Sequence, residues 1–209
     1  MSSEERDEFE VLVACEWSGV VRDALISRGV HAYSCDLLPS EIPGPHIRGD
    51  VRDMLDKGWD AMIAFPPCTH LAGCGAPSFK FKAHLQPKAL EFVRTLLEAP
   101  IPLIALENPV GIISTRIRKP DQIIQPWQFG EDASKRTCLW LKNLPLLKPT
   151  KIIEPRYYID NKPRWGNQTP GGHNKLGPSK DRGKLRGKTF GGIAEAMAEQ
   201  WCGHEERVR

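Results

Sequence analysis

The residues best suited to chemistry in this 209-residue chain stand at the ends of strand-like apolar runs. In the stretch D-A-M-I-A-F-P-P-C-T-H-L, Asp60 to Leu71, five uncharged and mostly apolar residues (Ala61 to Phe65) precede two prolines. Such a run fits a strand buried on both faces, and the prolines end it abruptly because they cannot continue a ladder. Cys68 then falls just past the strand's C-terminal end. Ligands of open α/β sheets bind at that edge, so a polarisable thiol on a rigid Pro-Pro turn is a candidate nucleophile. A lone cysteine is more often a buried structural residue, so the case rests on its partners.

Three acids take up similar positions: Glu16 after the first strand, Asp36 at the end of the second and Asp50 after the third. Each alone reads as an ordinary turn or cap residue. Together they follow dinucleotide-fold logic. An acid ending strand two can accept both ribose hydroxyls of an adenosine-containing cofactor, while the turn after strand one approaches the cofactor's polar part. That turn, Cys15-Glu16-Trp17-Ser18-Gly19, has one glycine and no G-x-G-x-x-G, which disfavours a pyrophosphate cofactor. S-adenosylmethionine carries no phosphate and needs no such cradle.

The elements that must position these residues alternate between strand-like and helix-like patterns, as in a mostly parallel sheet flanked by helices. Residues 9–15 read as the first strand, and Val20, Val21, Ala24 and Leu25 recur at helical spacing until Gly29. His31 to Asp36 is a second strand and a short third lies near Ile47, after which Asp50 is placed to cap a helix. The Cys68 strand is fourth, Pro87 to Leu97 an amphipathic helix, and residues 101–107 a fifth strand ending at Glu107. Thr137 to Leu141 reads as a sixth, and I-A-E-A-M-A-E-Q-W as a terminal helix.

A 40% hydrophobic content supports a real core, and the chain is long enough for one domain. The acidic start lacks an apolar leader, no run approaches a membrane span, and six scattered cysteines fit free thiols in a reducing, cytoplasmic setting. The net charge of +3 is unevenly spread: residues 148–188 hold eleven Lys/Arg against three Asp/Glu, a balance of +8 that leaves −5 elsewhere. That segment, rich in Gly and Pro and carrying Tyr157, Tyr158 and Trp165, reads as an irregular insertion with weak secondary structure. The expected organisation is a catalytic core over 1–147, the basic insertion over 148–188 and a helix returning to the core over 189–209.

A-C-E-W-S-G, C-D, G-D-V, F-P-P-C, A-L-E-N-P, S-K-R-T and the final G-K-T-F-G-G-I-A-E-A-M-A resemble, in this order, the motifs of cytosine-C5 DNA methyltransferases. The likeness is strongest to the compact members often carried by bacteriophages, and it covers nearly the whole chain. Its most specific parts are the Pro-Cys turn and the Glu-Asn-Pro turn thirty-nine positions later. It departs in its first motif, where the family favours Phe-x-Gly-x-Gly, and in Glu-Asn-Pro, where Glu-Asn-Val is commoner. The resemblance implies a Rossmann-like S-adenosylmethionine-dependent methyltransferase fold and a reaction on DNA, duplex or single-stranded.

It also implies roles. Cys68 becomes the thiolate that adds to C6 of cytosine, Glu107 the carboxyl that manages a proton at the base edge, Arg136 the cation that holds the base, and Asn108 a residue that shapes the turn. The cofactor would lie across Cys15, Glu16, Trp17, Ser18, Gly19, Asp36, Leu37, Asp50, Val51 and Pro66, with Thr189 leading into the closing helix. Members acting on specific sites carry a large target-recognition domain between the arginine motif and that helix, whereas here about 40 residues are available, below usual domain size. The expectation is a relaxed grip in which Arg156, Arg164, Lys180, Arg182, Lys184 and Arg186 meet phosphates. Tyr157, Tyr158 and Trp165 are the stacking candidates.

Other readings are weaker. Cys68, His70 and Cys74 form Cys-x-His-x3-Cys, an uncommon zinc spacing without an evident fourth ligand, so no metal is expected. A zinc deaminase would need H-x-E upstream of P-C-x-x-C; here Pro67-Cys68 leads into C-x5-C and no H-x-E precedes it. His46, His84, His173 and His204 read as solvated loop residues. An enzyme acting on a free cytosine nucleotide such as dCMP, and a catalytically silent nucleic-acid binder, remain the alternatives; intact Cys68, Glu107 and Arg136 weigh against silence.

Overall fold

Strands buried on both faces must be apolar at every position, and the runs that meet this demand form the centre of the sheet. In the computed structural model, which describes residues 8–73, 81 and 83–202, seven strands form one sheet: β1 Glu10–Ala14, β2 His31–Asp36, β3 His46–Arg48, β4 Ala61–Ala64, β5 Leu103–Pro109, β6 Gln122–Ile124 and β7 Thr137–Lys142. The order is β3-β2-β1-β4-β5-β7-β6, with the first five strands parallel and β7 antiparallel to both neighbours. This is a Rossmann-like α/β fold, the class expected. Its topological switch point lies between β1 and β4.

Helices cover both faces: α1 Val20–Ile26, α2 Gln86–Leu97, the single-turn α3 Ile113–Arg116, α4 Arg182–Gly187 and α5 Gly191–Cys202. Alternate strand residues divide the core. Val11, Val13, Ala61, Ile63 and Leu139 cluster with Leu25 of α1 and Ile193, Met197 and Trp201 of α5. Leu12, Met62, Ala64, Ile104, Leu106 and Trp140 cluster with Leu90, Val93 and Leu96 of α2. α1 ends where Gly29, at φ 74°, donates to the Ile26 carbonyl while Val30 donates to that of Leu25, a Schellman stop.

Four expectations need adjustment. β5 continues through Glu107 to Pro109 because Asn108 and Pro109 still pair with Cys138 and Thr137. The strand at Thr137 is seventh rather than sixth, since the edge segment Gln122–Ile124 pairs with it first. Asp50 caps a 3-10 turn, Val51–Met54, rather than an α-helix, accepting from the Arg52 amide at 3.0 Å. The basic segment is more ordered than its composition suggests: Tyr157–Ile159 (β8) and Lys162–Arg164 (β9) form a hairpin, and α4 comes after it.

The antiparallel direction of β7 decides which side chains can meet at one edge of the sheet. Pro109 at the end of β5 faces Thr137 at the start of β7, so Arg136 reaches the same edge as the C-terminal ends of β4 and β5. α5 closes the opposite face through Gly192, whose amide donates to a Glu131 carboxylate oxygen at 3.1 Å. A Cβ at Gly192 would stand 1.7 Å from the Phe129 carbonyl oxygen, whereas one at Gly191 would meet only the Glu131 carboxylate at 3.7 Å. Gly192→Ala is therefore expected to lower the melting temperature by roughly 3–10 °C, with Gly191→Ala nearly neutral; equal melting curves for the two variants would contradict this packing.

Candidate active site

Proline has no N–H to give the ladder, so the chain after β4 must find its partners elsewhere. Phe65 still donates to the Ala14 carbonyl at 2.9 Å. The Pro66 carbonyl accepts instead from the Asn108 side-chain amide at 2.8 Å, a buried bond between the Pro-Pro-Cys turn and β5. The amides of Leu71 and Ala72 both donate to the Cys68 carbonyl, at 3.0 and 2.9 Å, and curl the chain so that Cys68 is half-exposed at the edge.

The turns after β4 and β5 are then zipped together. Gly73 donates to the Val110 carbonyl and Ile112 to that of Leu71, each at 2.9 Å. Gly111 permits the approach, since a Cβ there would lie 2.0 Å from the Leu71 oxygen. Cys68 and Glu107 thus sit on segments fixed to each other by backbone.

Glu107 is half-buried on β5. Removal from water pushes its carboxyl above the usual range, against the opposing pull of the Lys135 charge and a hydrogen bond with Thr137. Asn108 is 1% exposed, and its Oδ1 has no hydrogen-bond partner among the described residues. Arg136 is exposed, and among those residues its guanidinium makes no hydrogen bond or ion pair. The structure therefore brings Cys68, Glu107, Asn108 and Arg136 to one sheet edge. Sequence reasoning missed Lys135 as the charge beside Glu107, although it adjoins Arg136. Cys74 and His204 lie outside the described residues, and His46 bridges Ser34 (2.8 Å) and the Leu38 carbonyl (2.9 Å).

Across the switch point a cleft of about 330 Å³ opens at the ends of β1, β2 and β3. It is lined by Cys15, Asp36, Leu37, Asp50 and Val51, all expected, together with Pro67 and Arg52. Cys15 holds a φ of 57°, a region that non-glycine residues seldom enter. The far wall is α2, through Lys88, Glu91, Phe92 and Thr95. Their spacing of i, i+3, i+4 and i+7 marks one helix face, the signal by which they were findable. Asp50 pairs with Arg52, which draws its carboxyl down to about 2.

The lining, among the described residues, does not include Glu16, Trp17, Ser18, Gly19, Pro66 or Thr189. Glu16 is turned inward, its carboxylate accepting from the Val21 amide (2.8 Å), the Arg22 amide (3.3 Å) and the Ser18 hydroxyl (3.0 Å) at the start of α1. Gly19, at φ 77°, packs on the buried Arg22 guanidinium. Trp17 lies beneath Lys184 and Lys188, whose Nζ atoms stand 4.4 and 5.4 Å from its ring centre, and both lysines pair with Glu41.

The insertion's cations divide into two groups. Lys180, Lys184 and Arg186 are exposed, as are Tyr157 and Tyr158, while Arg156 is anchored by Asp132. Arg164 and Trp165 are not on that surface: each is 8% exposed. Arg164 donates to the carbonyls of Pro170 (2.8 Å) and Pro163 (3.0 Å), and Trp165 stacks on Trp127 at 5.4 Å. Arg182 is half-buried, with its Nε unpartnered among the described residues.

No protein-family model matches the chain, and no curated protein matches it in sequence. Among solved structures, a prophage-encoded protein of E. coli described as a DNA modification methyltransferase superposes with a TM-score of 0.48 at 13% identity, covering 71% of this chain and 53% of its own. The Dnmt2 methyltransferase of S. pombe gives a TM-score of 0.41 at 16% identity, covering 66% and 50%. The chain spans about half the length of each. Among the described residues no helix is long and apolar enough to cross a membrane.

The raised carboxyl of Glu107 has a thermodynamic consequence. A folded-state pKa above the unfolded value means that its contribution is fully present below the ordinary carboxylate range and is lost as pH rises through the raised value. Glu107→Gln removes the ionisable group, so melting temperature should fall less steeply between weakly acidic and alkaline pH than in the unaltered protein. A parallel pair of melting profiles would contradict the assignment.

Proposed function

We propose that the chain is an S-adenosylmethionine-dependent methyltransferase that places a methyl group on C5 of cytosine in DNA through a covalent adduct at Cys68. The observation that carries this reading is the convergence of Cys68, Glu107 and Arg136 on one sheet edge, with a cofactor-sized cleft across the switch point. The cleft fits the cofactor by its chemistry. Asp36 offers a carboxylate to ribose hydroxyls and Phe92 an aromatic wall.

When bound, S-adenosylmethionine supplies a methyl group on a positively charged sulfur that an electron-rich carbon can take. The chain's residues make C5 such a carbon. The Cys68 thiolate forms a bond to C6, moving electron density through the ring and leaving C5 enamine-like. Glu107, whose carboxyl burial pushes up and so favours its protonated form, donates to the ring's N3 edge where that density accumulates. Arg136 offers its exposed guanidinium to the base carbonyl. After methylation the C5 proton leaves, the C5–C6 double bond reforms and Cys68 is expelled as thiolate.

Labelled S-adenosylmethionine offered with duplex DNA, single-stranded DNA, RNA or dCMP tests the proposal directly. Label on cytosine C5 in DNA is expected; label in dCMP alone would replace DNA by the free nucleotide, and no label would favour a silent binder. Cys68→Ala should abolish transfer, and DNA containing 5-fluorocytosine should trap the unaltered protein covalently because fluorine cannot leave as a proton does. An adduct mapped to any other cysteine would sink the assignment.

The basic insertion is read as the DNA grip. A cytosine in duplex must be unstacked, at a few kcal/mol that backbone contacts and a stacking side chain can offset; Tyr157 and Tyr158 are the exposed aromatics for that task. If about four to six phosphates are met, log affinity should fall against log salt with a slope of roughly −4 to −5. Neutralising Lys180, Lys184 and Arg186 together should flatten that slope by up to about three units. Titration at several salt concentrations checks this, and an unchanged slope would reduce the segment to a solvated loop.

A further inference from the structure

We infer that Asn167, in the basic insertion, is a positioning residue for Arg136, so that the insertion aims the base-holding cation as well as gripping the substrate. The inference rests on the reading of Arg136 as the group that meets the base. Arg136 itself is exposed and makes no hydrogen bond or ion pair among the described residues. What fixes its direction must therefore act on the backbone around it.

Those backbone groups are held from two sides. Asn167 grips the peptide groups of Ser134 in a fork: its Oδ1 accepts from the Ser134 amide at 2.9 Å and its Nδ2 donates to the Ser134 carbonyl at 3.1 Å. From the other side the Gln125 Oε1 accepts from the Lys135 amide at 2.9 Å, and the Lys135 carbonyl accepts from the Thr137 hydroxyl at 3.2 Å. Two residues before Arg136, then, the only side chain forking onto both peptide groups of Ser134 among the described residues comes from the insertion, thirty-three positions downstream.

Asn167 is itself braced. Its carbonyl accepts from the Lys175 amide at 2.9 Å, and the Lys175 Nζ donates to the Gly166 carbonyl at 2.7 Å. The Gly166 amide donates to Asp132 at 2.6 Å, and the same carboxylate takes Arg156. The Trp127–Trp165 stack and the bond from the Ile153 amide to the Trp127 carbonyl at 2.8 Å complete the joint. The fork thus fixes the peptide groups two residues before Arg136, and a group placed off its productive direction by about an ångström forfeits about a hundredfold in rate.

The test is a double-mutant cycle on single-turnover methyl transfer to cytosine-containing DNA, with 5-fluorocytosine capture as a second readout. Asn167→Ala should slow both by about 10- to 100-fold, while S-adenosylmethionine affinity, the salt slope of DNA binding and the melting curve stay close to those of the unaltered protein. Combined with Arg136→Ala it should add no further loss beyond about twofold, because both substitutions remove the same interaction. Asn167→Asp, which keeps the acceptor for the Ser134 amide and loses the donor, should fall between, and it serves should the alanine variant fold poorly.

Loss that multiplies onto that of Arg136→Ala, or wild-type rates in Asn167→Ala, would overturn the inference. Wild-type transfer by Arg136→Ala alone would instead remove the role of Arg136 on which it rests, and an unaltered protein inactive on every substrate would remove the methyltransferase reading and this inference together.

Discussion

The Pro66 carbonyl is the group around which the edge carrying Cys68 and Glu107 is arranged. The β4–β5 register pairs Ala64 with Leu106, so Pro66 stands level with Asn108, two residues further along. A regular ladder cannot continue there because Pro66 and Pro67 carry no N–H. The Asn108 side-chain amide replaces the missing order with one buried hydrogen bond of 2.8 Å. Its net contribution is only about 1 kcal/mol, but leaving the carbonyl unpaired would cost about 1–3 kcal/mol. The zipper between residues 71–73 and 110–112 builds on this bond, and the relation of Cys68 to Glu107 is set before any substrate arrives.

The same edge shows how environment assigns different tasks to one functional group. Asp50, half-buried and paired with Arg52, is driven down to about 2 and remains an anion suited to a hydrogen-bond acceptor role. Glu107, withdrawn from water, is driven up and suits proton retention. The surroundings of these two carboxyls push them in opposite directions. A raised value alone does not suffice. Burial also pushes Glu16 up, yet its oxygens are spent on the first amides of α1, so it organises the turn after β1 instead of facing the cleft.

The central strands were legible because burial on both faces leaves no freedom of composition: β1, β4 and β5 read as apolar runs and appear within a few residues of where they were expected. β6 was not, since three residues on a sheet edge, with Ile123 half exposed, carry no periodic signal. The same holds for the site. Cys68, Glu107 and Asp36 announce themselves by closing or following strand-like runs in the sequence, which is a one-dimensional property. Trp17 and Glu16 share that position and still turn elsewhere, because Lys184 and the start of α1 compete for them. Trp165 had the composition of a stacking residue; its burial depends on Trp127, far away in sequence and close only after folding.

That pairing also answers how an insertion of about forty residues keeps a shape at all. A segment of this size cannot bury enough apolar surface to hold a core of its own. It borrows one: Trp165 lies on Trp127, and Asp132 collects Arg156 and Gly166. The lender is the stretch from Gln125 to Lys135, which runs directly into Arg136 and β7. At its other end the insertion reaches Glu41 and Trp17, on the β1–β2 side of the switch point, through Lys184 and Lys188. A separate domain could move independently of the seven-stranded sheet. A segment whose core belongs partly to the sheet's own approach is tied to it through Trp127 and Asp132, a few residues before Arg136 and the start of β7.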